Sequence, residues 1–206
     1  IPDQHDKVAI VTGSNRGIGY DTAKALCKLG AHVILACRSS VSANLAVEKI
    51  KKEIPSAKVE FIQLDLSRLS SIREFVTQFK QRNLPLHILI NNAGVMITPY
   101  ETTEDGYELQ FAINHLGHFA LTLQLLDVLN DTGCPDSYAR IVNVTSDVHR
   151  YGTIAFDNLN DRRLLAEGCH VTANVLHPGI GDTDLFQNVP SLLLTAQKYA
   201  ISWMFK

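Results

Sequence analysis

A doubly wound, parallel α/β sheet is the fold class that these 206 residues predict, and three observations predict it. Short β-branched and aliphatic runs, such as Val8-Ala9-Ile10-Val11-Thr12 and His32-Val33-Ile34-Leu35-Ala36-Cys37, suit strands covered on both faces. These runs alternate with stretches carrying apolar residues at helical spacing, which implies parallel pairing through right-handed crossovers. The first run stops at a glycine turn, Gly13-Ser14-Asn15-Arg16-Gly17-Ile18-Gly19, and re-enters as a helix whose free N–H groups and positive dipole end suit phosphate. In such a turn Gly13 permits the tight bend, Gly17 a close approach of the backbone to a diphosphate, and Gly19 the packing of helix on strand.

Taken in order, the first helix runs from Tyr20 to Leu29 and stops at Gly30. The second strand covers His32 to Cys37, and a helix follows from Ser42 to Ile54, ended by Pro55. Val59 to Leu64 is the third strand, with Asp65-Leu66 at its end. Ser70 to Arg82 is the third helix, with Ile72, Phe75, Val76 and Phe79 inward. Leu86 to Ile90 makes strand four and delivers Asn91-Asn92-Ala93-Gly94 to the carboxyl edge, where open α/β sheets bind ligands. A long helix from Gly106 to Leu129 carries Leu109, Phe111, Ile113, Leu116, Phe119, Leu123 and Leu126, with Asn114, His115 and His118 set within it. Residues 131–136 read as a loop. Strand five, from Arg140, places Ser146 at the same edge, and strand six, Val171 to Leu176, delivers His177-Pro178-Gly179 there.

The composition fits one domain over 1–206: 46% of residues are hydrophobic, 19% are charged, and the net charge is -2. That balance points away from nucleic acid as a partner. Cys27, Cys37, Cys134 and Cys169 form no C-x-x-C pair, and His115 and His118 have no third ligand nearby in sequence, so no metal site is expected. The two histidines read as helix packing with local hydrogen bonds. A serine hydrolase triad at Ser146, Asp147 and His149 lacks the G-x-S-x-G elbow. The polar start, Ile1 to Lys7, shows no signal peptide or spanning helix, and residues 192–205, apolar nearly all round if helical, suit a substrate lid or a peripheral membrane contact.

With these residues placed, the chain resembles the short-chain dehydrogenase/reductase family. Thr12-Gly13-x-x-x-Gly17-x-Gly19, Asp65-Leu66, Asn91-Asn92-Ala93-Gly94 and Pro178-Gly179 follow the family's order. Leu35-Ala36-Cys37-Arg38, Asn114-His115-Leu116-Gly117-His118-Phe119 and Leu176-His177-Pro178-Gly179 make it similar to the retinol-dehydrogenase branch. The resemblance implies a Rossmann-type fold and a cofactor site at Gly13, Ser14, Asn15, Arg16, Gly17, Ile18, Gly19, Asp65, Leu66, Asn92, Ala93 and Gly94. It extends that site to Pro178, Gly179 and Thr183, though a helix cap is nearly as good a reading of Thr183. It also implies a lipophilic alcohol and its aldehyde or ketone as substrate, of retinoid or isoprenoid type, and a cytoplasmic or endoplasmic-reticulum location. It leaves a homodimer open. Charge argues for NADP(H): strand two ends in Cys37-Arg38, where an acid would bind the NAD ribose, and Arg16 adds a second cation suited to a 2′-phosphate.

For the chemistry, the resemblance makes Ser146 the hydrogen-bond partner of the substrate oxygen and Asn114 the holder of a water in a proton relay. The family's acid/base tyrosine, followed four residues later by lysine, has no counterpart between strands five and six. Only Tyr20 has a lysine at that spacing, Lys24, and both belong to the first helix. The crossover is also short: residues 159–167 alone could be helical, giving about 13 Å at 1.5 Å per residue. A block near 161–162 and the C-terminal strand are thus missing from the family pattern. Either those residues are lost from an ordinary reductase, or the deletion is real and the chain is a truncated, inactive NADP-binding or interaction protein. A real deletion would bare apolar sheet surface at about 25 cal/mol per Å2, which favours the first.

Overall fold

A computed structural model describes residues 2–135, 137–146 and 175–176. Among these, six parallel strands stand in the order β3-β2-β1-β4-β5-β6: β1 (Val8–Thr12), β2 (His32–Cys37), β3 (Val59–Gln63), β4 (Ile88–Asn91), β5 (Arg140–Val144) and β6 (Val175–Leu176). Successive strands run outward from β1 to β3, then the chain returns to the other side of β1 to place β4. The order therefore reverses between β1 and β4, the kind of switch point at whose carboxyl ends open α/β sheets bind ligands. The register sets Ile10 beside Ile34 and Leu89, and Asn91 beside Asn143.

Side-chain alternation explains why the strands read as continuous apolar runs. Ile10, Ile34 and Ala36 face one core, shared with Ile72, Phe75 and Phe79 of α3 (Leu69–Lys80). Val11, Val33, Leu35 and Cys37 face the other, beneath α1 (Gly17–Lys28) and α2 (Ser40–Glu53), which contribute Ala23, Cys27, Ala46 and Ile50. Both faces of the central strands β1 and β2 are covered, so Val8 to Val11 and Val33 to Cys37 are all apolar and buried.

The next helix, here α4, passes from an α-helical start at Leu109–Phe111 through a π-helical turn at Ala112–Leu116 into Gly117–Thr132. Buried Glu108 caps its start, its carboxylate accepting from the Gln110 and Phe111 N–H groups at 2.9 and 2.7 Å. The expected apolar set needs correction. Leu121, Leu125 and Leu129 line the core, whereas Phe119, Leu123 and Leu126 are 56%, 53% and 39% exposed. The helix also runs through Asp131 and Thr132, so the expected loop begins at Gly133. Thr132 closes the end: its hydroxyl donates to the Val128 carbonyl at 2.7 Å and accepts the Leu86 N–H at 2.9 Å. No helix among the described residues is long and apolar enough to cross a membrane.

Candidate active site

The glycine turn leaves β1 at Thr12 with Gly13 at φ 62° and Gly17 at φ 56°, backbone that side chains resist. Gly19 is helical, and there the requirement is space. A Cβ would lie 2.4 Å from both Asn92 Nδ2 and the Gly13 carbonyl oxygen. The turn therefore lies pressed against the loop that follows β4. Its helix begins at Arg16 without a side-chain cap and without an acid in the first turn. Gly17 is exposed and Ile18 half-buried beside it. An uncapped helix start, a left-handed exposed glycine and the exposed cations Arg16 and Arg38 form a donor set that fits a dinucleotide diphosphate. Gly94 adds room: a Cβ there would meet nothing closer than Asn114 Oδ1 at 3.6 Å.

Ser14 and Asn15 are placed less openly than the sequence suggests. Ser14 is buried, and its hydroxyl donates to the Val11 carbonyl at 2.7 Å. Its contribution to a cradle is thereby limited to backbone. Asn15 Nδ2 donates to Ser42 Oγ at 3.2 Å, tying the turn to α2.

Thr12 links the turn to β4. Its hydroxyl oxygen accepts the N–H groups of Asn92 and Ala93, both at 2.9 Å, and lies 2.9 Å from His118 Nε2. Asn92 Nδ2 returns the link by donating to the Thr12 carbonyl at 2.8 Å. Helix α4 secures the neighbouring loops. Both ends of the Asn114 amide pair with the Val95 backbone at 2.9 Å. Gly117 lies so close to Leu66 that a Cβ would come within 2.4 Å of its carbonyl oxygen. The sequence reading of His118 as helix packing with local hydrogen bonds holds, its ring buried and Nδ1 3.4 Å from the Asn114 carbonyl. Its reach to Thr12 and the seat of Gly117 on Leu66 had no signal in the sequence.

At the end of β3, Asp65 Oδ1 accepts from the Ser67 N–H at 3.0 Å and its hydroxyl at 2.6 Å, while Ser71 Oγ accepts the Asp65 N–H at 3.0 Å. The carboxylate thus shapes its own turn, and Leu66 is buried in the core. An acid spaced two residues from serine was the available signal. Arg38 stands exposed just past β2, and its carbonyl accepts Gln63 Nε2 at 3.2 Å.

Ser146 is half-buried two residues beyond β5, at the same edge as the turn. Asn91 Nδ2 donates to Asn143 Oδ1 at 2.7 Å and so ties β4 to β5 below it. Pro178, Gly179 and Thr183, the short crossover with 161–162, and the stretch 192–205 lie outside the described residues. Tyr20 and Lys24 stand on α1, with the ammonium 5.3 Å from the ring centroid. Burial raises the Tyr20 phenol against the opposing Lys24 charge, the wrong direction for an acid/base.

His118 is buried, and desolvation pushes its pKa down to about 4 from 6.5, with the Asn114 carbonyl opposing. The unfolded chain takes up this proton first, so stability is full above about pH 6.5 and falls as the pH drops toward 4, by about 3 kcal/mol at the end of that window. Urea midpoints between pH 7 and pH 4 are expected to fall in the wild type and to fall less in His118→Gln. An equal fall in both would remove His118 as the cause.

The family model described as short chain dehydrogenase matches residues 7–158. Polyprenol dehydrogenase of Homo sapiens is 45% identical over 213 residues, covering 91% of this chain and 64% of that protein. Retinol dehydrogenase 14 of Homo sapiens is 38% identical over 240 residues, covering 98% of this chain and 70% of that protein. Among solved structures, an uncharacterized protein from Mycobacterium paratuberculosis superposes with a TM-score of 0.70 at 33% identity, over 91% of this chain and 74% of that one.

Proposed function

Because the chain belongs to the short-chain dehydrogenase family, whose members are oxidoreductases that use a nicotinamide cofactor, we propose that it interconverts a lipophilic alcohol and its aldehyde or ketone with NADP(H). One observation carries the NADP(H) choice: β2 ends at buried Cys37 and exposed Arg38 follows it, with no acid at that strand end. An exposed guanidinium there favours a 2′-phosphate over a ribose hydroxyl. The polyprenol and retinol dehydrogenases among its relatives support a long apolar alcohol as substrate.

Bound NADP(H) supplies or accepts the hydride. Gly13 to Gly19 would hold the diphosphate on backbone N–H groups, with Arg16 beside them. Arg38 would hold the 2′-phosphate, and Leu66 with Asp65 would serve the adenine side. Asn92, Ala93 and Gly94 would border the cofactor beside the turn, and by family resemblance Pro178, Gly179 and Thr183 would serve its nicotinamide half. Ser146 would donate a hydrogen bond to the substrate oxygen, and Asn114 would hold a water in the proton relay.

The missing Tyr-x-x-x-Lys pair favours a second reading, an NADP-binding chain without turnover. NADPH binding followed by fluorescence, together with NADPH consumption on isoprenoid and retinoid aldehydes, separates the two. Consumption supports the reductase. Tight binding without consumption leaves the second reading. Absence of dinucleotide binding overturns both.

A further inference from the structure

We propose that His118 is a positioning residue for the dinucleotide site: from inside α4 its ring holds the Thr12 hydroxyl, and through it the loop after β4, in the orientation that shapes the floor under the glycine turn. The proposal rests on the cofactor reading above and adds a residue that touches neither cofactor nor substrate.

The argument is one of donor and acceptor accounting. Thr12 is fully buried, and its hydroxyl has one proton and two lone pairs. The Asn92 and Ala93 N–H groups, each at 2.9 Å, take both lone pairs. The proton must then go elsewhere, and two acceptors are in reach, His118 Nε2 at 2.9 Å and the Ile90 carbonyl at 3.4 Å. The other ring nitrogen of His118 faces the Asn114 carbonyl at 3.4 Å, which can only accept. The network therefore assigns the ring proton to Nδ1 and leaves Nε2 to receive the Thr12 proton. From Asn92 and Ala93 through Thr12 and His118 to Asn114, every bond then runs in one direction.

Without the imidazole, the Thr12 proton turns toward Ile90, and the lone pairs rotate out of line with the two amides. Those amides belong to the residues that confine the turn. Asn92 Nδ2 donates to the carbonyls of Thr12 and Gly13 at 2.8 and 3.4 Å, and a Cβ on Gly13 would lie 2.8 Å from Ala93 Cα. The helix bearing His118 cannot drift to compensate, because Gly117 is seated against Leu66. A ring that served only to fill space would be replaceable by leucine; one that accepts a proton would not.

The test compares His118→Leu, His118→Gln and His118→Asn in the full-length protein, with Leu125→Ala as a core variant of the same helix. Two quantities are read: the NADPH dissociation constant, and amide hydrogen exchange at Asn92 and Ala93. Glutamine can put an oxygen where Nε2 stood, whereas asparagine, one methylene shorter, cannot. His118→Leu and His118→Asn are expected to weaken NADPH about tenfold, the size of one lost buried hydrogen bond, and to speed exchange at both amides. His118→Gln is expected to restore both, and Leu125→Ala to keep the affinity despite its lower stability. If His118→Leu fails to fold, the Gln/Asn pair decides. Wild-type affinity in His118→Asn, or an equal loss in Leu125→Ala, overturns the proposal alone. A wild type that binds no NADPH overturns the cofactor reading, and this proposal with it.

Discussion

Gly19→Ala is expected to abolish measurable NADPH binding and to lower the stability of the fold, although helix propensity alone argues the opposite. Alanine is favoured over glycine inside a helix by about 1 kcal/mol, and Gly19 is the third residue of α1. The added methyl would lie 2.4 Å from the Gly13 carbonyl oxygen and from Asn92 Nδ2. Neither can yield cheaply. The carbonyl is backbone, and Asn92 is held by its own bonds to Thr12. Overpacking of this kind costs roughly 1–3 kcal/mol, which outweighs the propensity gain, and relief comes only by moving the turn off the β4 loop. Gly94→Ala is the control for size alone, since its methyl would meet Asn114 Oδ1 at an ordinary 3.6 Å; its urea midpoint is expected to match the wild type. A raised midpoint with intact NADPH binding in Gly19→Ala would refute the packed-turn account.

The two cores of the sheet made most of the fold legible before any coordinates. The range expected for strand two, His32 to Cys37, is the range observed, because Val33 to Cys37 are all driven apolar by burial on both faces. On α3, Ile72, Phe75, Val76 and Phe79 are all buried, as a single-faced amphipathic helix requires. The helix carrying Asn114 was read less well for a definite reason. Its π turn at Ala112–Leu116 inserts a residue into the period, so an apolar stripe counted from Leu109 drifts onto the exposed face by Phe119 and Leu123. Within the site, the glycine spacing announced the turn, but spacing cannot tell which loop side chains point inward. Ser14 turned to Val11, and Asp65 turned to Ser67. His118 reads from the sequence only as helix packing within the Asn114–Phe119 motif, and its link to Thr12 emerges only when the fold brings together residues 106 positions apart.

Arg38→Asp is expected to invert the cofactor preference, and the size of the inversion follows from two additive effects. Losing the guanidinium removes charge-assisted hydrogen bonds to the 2′-phosphate, worth about 1.5–3 kcal/mol each, so NADPH weakens roughly 10- to 100-fold. The carboxylate then adds repulsion toward a phosphate while offering an acceptor to the ribose hydroxyl of NADH, for about another tenfold in the ratio. Arg38→Ala separates these effects: it should show the first loss without the NADH gain. Because Arg38 is exposed, the wild-type preference for NADPH should shrink as salt rises, with screening over about 10 Å at 0.1 M. The fold should not suffer. The carbonyl that accepts Gln63 Nε2 is backbone and survives the substitution, and the buried part of β2 ends at Cys37. Dissociation constants for NADPH and NADH across the three proteins check the prediction. If Arg38→Asp keeps its preference while Arg16→Ala loses it, the phosphate sits on the glycine turn's own arginine, and the charge reading of β2 fails.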